Sequence, residues 1–196
     1  MSILFYDKNA DEFFTNTINS NMQQLYTIFE ETIPKKHLQP WEILDLGCGS
    51  GRDSKYFINA GYKVTALDFS KILAQKASAY IGQEVIVKDM RQIEYLGKFV
   101  GIWACASLLH LTETEILATL QKCLIALKKD GALFASFKYG KSNYQKDGRS
   151  FTCFTQEKFL NLVETLNCPI QTFLTSDVCP ERANEKWLNI LLKNTR

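Results

Sequence analysis

Long apolar runs are missing from this 196-residue chain, which nowhere approaches the ~20 consecutive apolar residues that a membrane-spanning helix requires. The N-terminus, Met1-Ser2-Ile3-Leu4-Phe5-Tyr6-Asp7-Lys8, also lacks a basic region followed by a sustained apolar core, so no secretory leader is expected. These two absences predict a soluble, cytoplasmic protein with no membrane partner. Paired cysteine spacing is absent as well. Cys48, Cys105, Cys123, Cys153, Cys168 and Cys179 include no C-x-x-C, which argues against a zinc site or a disulfide framework and predicts reduced, small apolar side chains with no metal. An excess of one charge is lacking too. The formal net charge is +2, and basic pairs such as Lys35-Lys36 and Lys128-Lys129 are isolated, so no electropositive stripe is visible and nucleic acid is not an expected partner. Histidine is scarce, with two in all; His37 sits in a polar linker and receives no role. No internal repeat or low-complexity tract occurs.

What is present is a globular composition, 46% hydrophobic and 22% charged, which excludes disorder and a fibre. The length is most simply one domain, 1–196, with residues 1–40 as an N-terminal helical cap and 41–196 as its core. The organising stretch is Ile43-Leu44-Asp45-Leu46-Gly47-Cys48-Gly49-Ser50-Gly51-Arg52-Asp53, an apolar run that meets a glycine-rich turn and leads into a helix. Beside it Val64-Thr65-Ala66-Leu67-Asp68 is a second apolar run closed by an acid about twenty residues on, where a ribose is read in a strand–helix–strand unit. A dinucleotide turn is G-x-G-x-x-G, and its third glycine position is filled here by Arg52. Alternating glycines let backbone approach a ligand closely. Asp45, at the strand end, favours a ligand with a cationic group over pyrophosphate.

In chain order, Asp7 to about Ile33 reads as mostly helical, with Met22, Leu25, Tyr26, Phe29 and Ile33 on one face, until Pro34 and Pro40 break it. Helices are predicted from Arg52 to Ala60 and from Ser70, an N-cap, to about Tyr80, the latter with Ile72, Leu73, Ala77 and Tyr80 inward. Strand three is expected over Glu84–Lys88, strand four over the near-continuous apolar run Phe99–Ala106, and strand five over Ala132–Phe137 after an Asp130-Gly131 turn. Between them Thr112 and Glu115 form a capping box, followed by Ile116, Leu117, Leu120, Leu124 and Leu127 on one helical face. Lys141 to Ser150 reads as a loop over the active edge. A helix from Thr155 carries Phe159, Leu160, Val163 and Leu166, and Ile170–Thr175 and Trp187–Leu192 can pair as an antiparallel hairpin. Repeated strand–helix units imply a parallel sheet covered on both sides, with ligands bound outside the carboxyl ends of its strands.

ILDLGCGSGRD resembles motif I of the class I S-adenosylmethionine-dependent methyltransferases, and TALDFS their acidic strand-two end. The resemblance covers nearly the whole chain and points to a bacterial small-molecule branch that includes tellurite-resistance-like and thiopurine-like enzymes. It implies an α/β, Rossmann-like, seven-stranded mostly parallel sheet with helices on both faces and a last strand inserted antiparallel. It implies S-adenosyl-L-methionine as cofactor, held by Asp45, Gly47, Cys48, Gly49, Gly51, Arg52, Asp53, Asp68, Phe69 and Ala104, with Asp89 and Met90 reaching the adenine. The opening Tyr6-Asp7-Lys8-Asn9-Ala10-Asp11-Glu12-Phe13 looks like a capping segment, which makes Tyr6 a substrate-side residue.

The implied reaction is an in-line methyl transfer, so a base is needed only for an acceptor that arrives protonated. His110, at the end of Trp103-Ala104-Cys105-Ala106-Ser107-Leu108-Leu109-His110, is the candidate base. Lys138, Arg149 and Arg182 flank the same edge and would favour a small-molecule acceptor that is acidic or anionic. The branch usually has Arg-Pro where this chain has Cys179-Pro180. The Asn/Asp-Pro-Pro-aromatic string of nucleic-acid amine methyltransferases and a Pro-Cys nucleophile are both absent. Two alternatives stand beside this reading: a non-catalytic S-adenosylmethionine-binding regulator, which would keep Asp45, Gly47, Gly49 and Asp68, and an NAD-binding oxidoreductase, which Arg52 disfavours.

Overall fold

The computed structural model describes residues 2–34, 41–179 and 182–196; Lys35-Lys36, His37, Pro40 and Pro180 lie outside them. The N-terminal helical stretch is three helices, α1 (Ser2–Lys8), α2 (Ala10–Ile18) and α3 (Gln23–Thr32). A mostly helical stretch from Asp7 to about Ile33 was expected, without its divisions. The break lies at Asn19-Ser20-Asn21, whose polar side chains compete for backbone, as Asn21 Oδ1 does by accepting the Gln23 N–H at 3.0 Å. The expected inward face of α3 is correct: Leu25, Tyr26, Phe29 and Ile33 are all buried.

From there strands and helices alternate: β1 (Glu42–Leu46), α4 (Arg52–Asn59), β2 (Lys63–Asp68), α5 (Lys71–Ile81), β3 (Ile86–Val87), β4 (Phe99–Ala104), α6 (Glu113–Ala126) and β5 (Leu127–Lys138). The chain closes with β6 (Tyr144–Lys146), β7 (Arg149–Phe151), α7 (Gln156–Val163), β8 (Ile170–Ser176) and β9 (Lys186–Lys193). Seven strands form one sheet in the order β3-β2-β1-β4-β5-β9-β8, parallel through β5, with β9 antiparallel to both of its neighbours. This is the mostly parallel Rossmann-like sheet with an antiparallel end that was expected. Alternate strand residues feed two cores. Ile43, Trp103 and Phe134 pack with α3, α4 and α5, whereas Leu44, Ile102, Leu133 and Ala135 pack with α6 and α7. Strand order reverses between β1 and β4, which opens a crevice at their carboxyl ends.

Four local expectations differ from the structure. Strand three is two exposed residues long, because the Val85 N–H donates to Ser78 Oγ on α5 rather than to the sheet. On α5, Leu73 and Ala77 are buried but Ile72 and Tyr80 point outward; Tyr80 instead meets Phe14 of α2 edge-on. Strand β5 begins at Leu127, with Asp130 at φ +63° in an irregularity of the β4 pairing. The stretch read as a loop holds the β6–β7 hairpin, turned by Asp147 and Gly148 at φ +52° and +73°. An Asp-Gly pair of that geometry is the standard two-residue hairpin turn, and it was readable in the sequence.

Candidate active site

The cradle is built where β1 ends. Gly47 takes φ +84°, and a Cβ there would stand 2.6 Å from Ser107 Cβ, so only glycine lets the turn lie against the end of β4. The Gly47 and Cys48 N–H groups both donate to the Leu67 carbonyl at 2.9 Å, which ties the turn to β2. Asp68, at the end of β2, accepts from Gly49 N–H and Ser70 N–H, each at 2.8 Å. Burial raises its carboxyl above the ordinary range. A single cavity of about 880 Å³ runs from this cradle across the sheet edge. Gly47, Cys48, Gly49, Arg52, Asp53, Asp68, Phe69, Asp89 and Met90 line it, as do Tyr6, His110, Lys138, Arg149 and Arg182.

Three expected cofactor residues do not line the cavity. Asp45 is buried beneath the cradle, where Ser54 Oγ donates to it at 2.6 Å. Burial, and then the Asp53 charge, push its carboxyl up to about 8. Gly51 caps α4 at φ +79° and faces α5, where a Cβ would meet Ile81 and Ala77 at 3.0 and 3.1 Å. Ala104 is fully buried in the strand core. Position next to a motif does not decide the direction of a side chain.

Asp53 reaches the cavity wall but its carboxylate is already saturated. Arg52 holds it through two bonds of 2.7 and 2.8 Å, Tyr26 Oη donates at 2.5 Å and Trp103 Nε1 at 2.8 Å. Burial opposes the charge, and Arg52 outweighs it, so Asp53 stays below the ordinary carboxylate range. This pair fastens α3 and β4 to the cradle and holds Arg52 in place. At the other flank, Asp89 accepts from Arg91 N–H, Nε and Nη2, and these bonds keep it ionised.

The same cavity is lined by His110. Its Nδ1 lies 2.8 Å from the Ser150 carbonyl, which can only accept, so Nδ1 carries the proton and Nε2 accepts from the Tyr6 hydroxyl at 2.7 Å. Burial, reinforced by the Arg149 charge, lowers the His110 pKa and keeps the imidazole neutral. Arg149 lies 3.7 Å over the Phe5 ring and reaches Asp147 at 3.2 Å. Lys138 bonds Asp177 at 3.2 Å and Glu185, and sits 4.1 Å over Trp187; Arg182 meets the same Asp177 at 3.4 Å. The structure therefore gathers the three predicted cations on one cavity but gives each a carboxylate. Among the described residues Arg149 Nε is nevertheless buried without a hydrogen-bond partner.

Residues to which the sequence analysis gave no cofactor or substrate role complete the site. Ser70 Oγ bonds Asp7 of α1, Thr17 Oγ1 donates to Ser50 at 3.0 Å, and the Phe13 ring lies over Gly49, so α1 and α2 cover the cradle. Ser107 and Asn189 line the cavity, and among the described residues Ser107 Oγ and Asn189 Oδ1 are buried without a hydrogen-bond partner. A polar residue inside the apolar string Leu188–Leu192 was the available signal for Asn189.

Residues 43–131 match the family model described as a methyltransferase domain. YqeM of Bacillus subtilis is 30% identical over 111 residues, which are 53% of this chain and 43% of that protein. The chain spans less than half the length of the curated relatives it matches. The fold is similar to that of 1,6-didemethyltoxoflavin-N1-methyltransferase from Burkholderia thailandensis, crystallised with 1,6-didemethyltoxoflavin and S-adenosylhomocysteine: TM-score 0.77, 19% identity, 100% of this chain and 86% of that one. It is also similar to that of a TehB-like SAM-dependent methyltransferase from Corynebacterium glutamicum: TM-score 0.71, 17% identity, 97% and 99% of the two chains.

Proposed function

We propose that this chain, whose residues 43–131 match a methyltransferase-domain model, is a class I S-adenosylmethionine-dependent methyltransferase acting on a small molecule. The observation that carries the reading is the single cavity running from Asp68, past a turn where no Cβ fits at Gly47, to the neutral imidazole of His110. When bound, S-adenosylmethionine supplies a methyl group activated by its sulfonium. Asp68 and the Gly49 turn would hold the ribose end, Asp89 and Met90 the adenine, and Gly47, Cys48 and Arg52 the amino-acid end. Phe69 offers an exposed ring at the rim. The α1–α2 segment would exclude water above the cradle, which supports reading the first two helices as a cap.

The work left to the protein is chiefly orientation, which accounts for about 7–11 kcal/mol of a displacement barrier. Tyr6 and His110 add a proton path: an acceptor O–H or N–H gives its proton to the Tyr6 oxygen while the Tyr6 proton moves to Nε2. A regulator that only binds would have no use for such a base, which favours the enzyme reading. Six free thiols accord with a cytoplasmic, reducing environment.

The test is the thermal midpoint with S-adenosylmethionine, S-adenosylhomocysteine and NAD in parallel. A ligand at a hundred times its Kd adds about 2.7 kcal/mol, roughly 5–11 °C for a domain of this size. Shifts with the two S-adenosyl compounds are expected. A shift with NAD alone refutes the reading.

A further inference from the structure

We propose that the acceptor end of the cavity selects an uncharged, planar ring compound that donates a ring N–H to Asn189 Oδ1, and not an anion. The inference rests on the methyltransferase reading for what is done to that compound, but its argument is local.

An anion would have to take cations from existing partners. Lys138, Arg182 and Arg149 face Asp177, Glu185 and Asp147, three cations against three carboxylates. Asp177 is the hardest to displace. Its side chain is 2% exposed, and it also accepts from Trp187 Nε1 and Cys179 N–H at 2.9 Å each. The net attraction for a free carboxylate or phosphate is therefore small, and the one largely desolvated pair, Lys138–Asp177, would have to be broken to increase it.

What the cavity does offer is unused hydrogen-bonding capacity. Asn189 is fully buried on β9; its Nδ2 donates to Thr175 Oγ1 at 2.9 Å and leans on the Phe173 carbonyl at 3.5 Å, while Oδ1 has no donor among the described residues. Across the strand pairing, Asn189 stands opposite Ser136, whose Oγ accepts the Ala106 N–H at 2.8 Å. Next in the chain is Ser107, 7% exposed, whose hydroxyl is also unpartnered. Ser107 also stands against Gly47 of the cradle, so it marks the boundary with the cofactor side; a third buried atom without a partner among the described residues, Arg149 Nε, is a donor on the same lining and suits a ring carbonyl. An amide oxygen repels an anion and needs a donor, and a buried polar atom left without a partner discriminates strongly in favour of the ligand that supplies one. Phe5, Tyr6, Phe151 and Trp187 line the same end with aromatic faces, which suit a flat ring.

The test is calorimetric titration of phthalimide, N-methylphthalimide and benzoate into the full chain, with and without saturating S-adenosylhomocysteine. Phthalimide is expected to bind about tenfold tighter than either of the others, and Asn189→Leu to remove that preference. If Asn189→Leu does not fold, Ser107→Ala deletes the second orphan with minimal change in volume and is expected to weaken phthalimide several-fold. Benzoate binding as tightly as phthalimide, no binding by any of the three, or an unchanged preference in the variant overturns the proposal. S-adenosylhomocysteine is titrated separately. Its failure to bind overturns the methyltransferase reading, and the ring preference measured without it judges the present inference alone.

Discussion

The hydroxyl of Tyr6 stands 2.7 Å from Nε2 of His110, 104 positions further along the chain, and the other imidazole nitrogen is held by the Ser150 carbonyl. The base predicted from sequence therefore lines the cavity with its Nε2 already bonded to Tyr6. Under the proposed function the two would act together, which would give α1 a part in the chemistry as well as in covering the cradle.

Tyr6 and His110 should act as a unit. In a double-mutant cycle of Tyr6→Phe and His110→Gln followed by urea unfolding, a coupling of about 0.5–3 kcal/mol is expected. On an identified acceptor that carries a proton, each single variant should lose about 10²-fold or more in kcat. The double variant should be little worse than either single one. Strict additivity would separate the two residues.

The His110 pKa is depressed by burial below its ordinary 6.5, so the unfolded chain takes up a proton that the native protein does not. Its stabilising contribution is complete above 6.5 and is lost as pH falls from there towards the native value. Urea midpoints of the wild type should drop over that window more than those of His110→Gln. Parallel curves would show that the imidazole is not buried as described.

For Asp45 the sign is opposite. Its native pKa of about 8 lies above the ordinary 3.8, so its contribution is present below 3.8 and is lost as pH rises through 8. Asp45→Asn cannot ionise and still accepts from Ser54. The stability of the variant relative to wild type should rise between about pH 5 and about pH 9, as read from unfolding curves. A difference that does not change with pH would mean that Asp45 is ionised throughout.

Gly47→Ala meets both a left-handed backbone and Ser107. The backbone alone costs about 1–2 kcal/mol. The displaced turn should also abolish the thermal shift by S-adenosylhomocysteine. A variant with the wild-type midpoint and shift would show that the turn relaxes freely.

Asp68→Ala removes the acceptor proposed for the ribose and should weaken S-adenosylhomocysteine by about 1–3 kcal/mol in calorimetric titration. Because Asp68 also fixes Gly49 N–H and Ser70 N–H, Asp68→Asn is the matched control for turn geometry. Undiminished affinity in both variants would take Asp68 out of the site.

Where local chemistry decides, the sequence was sufficient. The capping box of Thr112 and Glu115, the Ser70 cap and the buried strand Phe99–Ala104 all form as their residue types dictate. The glycine turn and Asp68 were legible for the same reason, since alternating glycines and a strand-end acid have few other uses at that spacing. The Asp147-Gly148 hairpin carried an equally local signal that went unread.

The sequence by itself thus determined the order of elements, the doubly covered sheet and the cradle at its switch point, because burial periodicity and turn chemistry act over a few residues. Only the tertiary structure decided what those residues face. Asp45, inside the motif, and Ala104, at the end of β4, are both turned into the core, and Asp53 is consumed by Arg52, Tyr26 and Trp103 from three separate elements. Lys138 and Arg182 read as free cations until β8 and β9 bring Asp177 and Glu185 beside them. Charge compensation and side-chain direction depend on partners tens of residues away, and no local pattern encodes them.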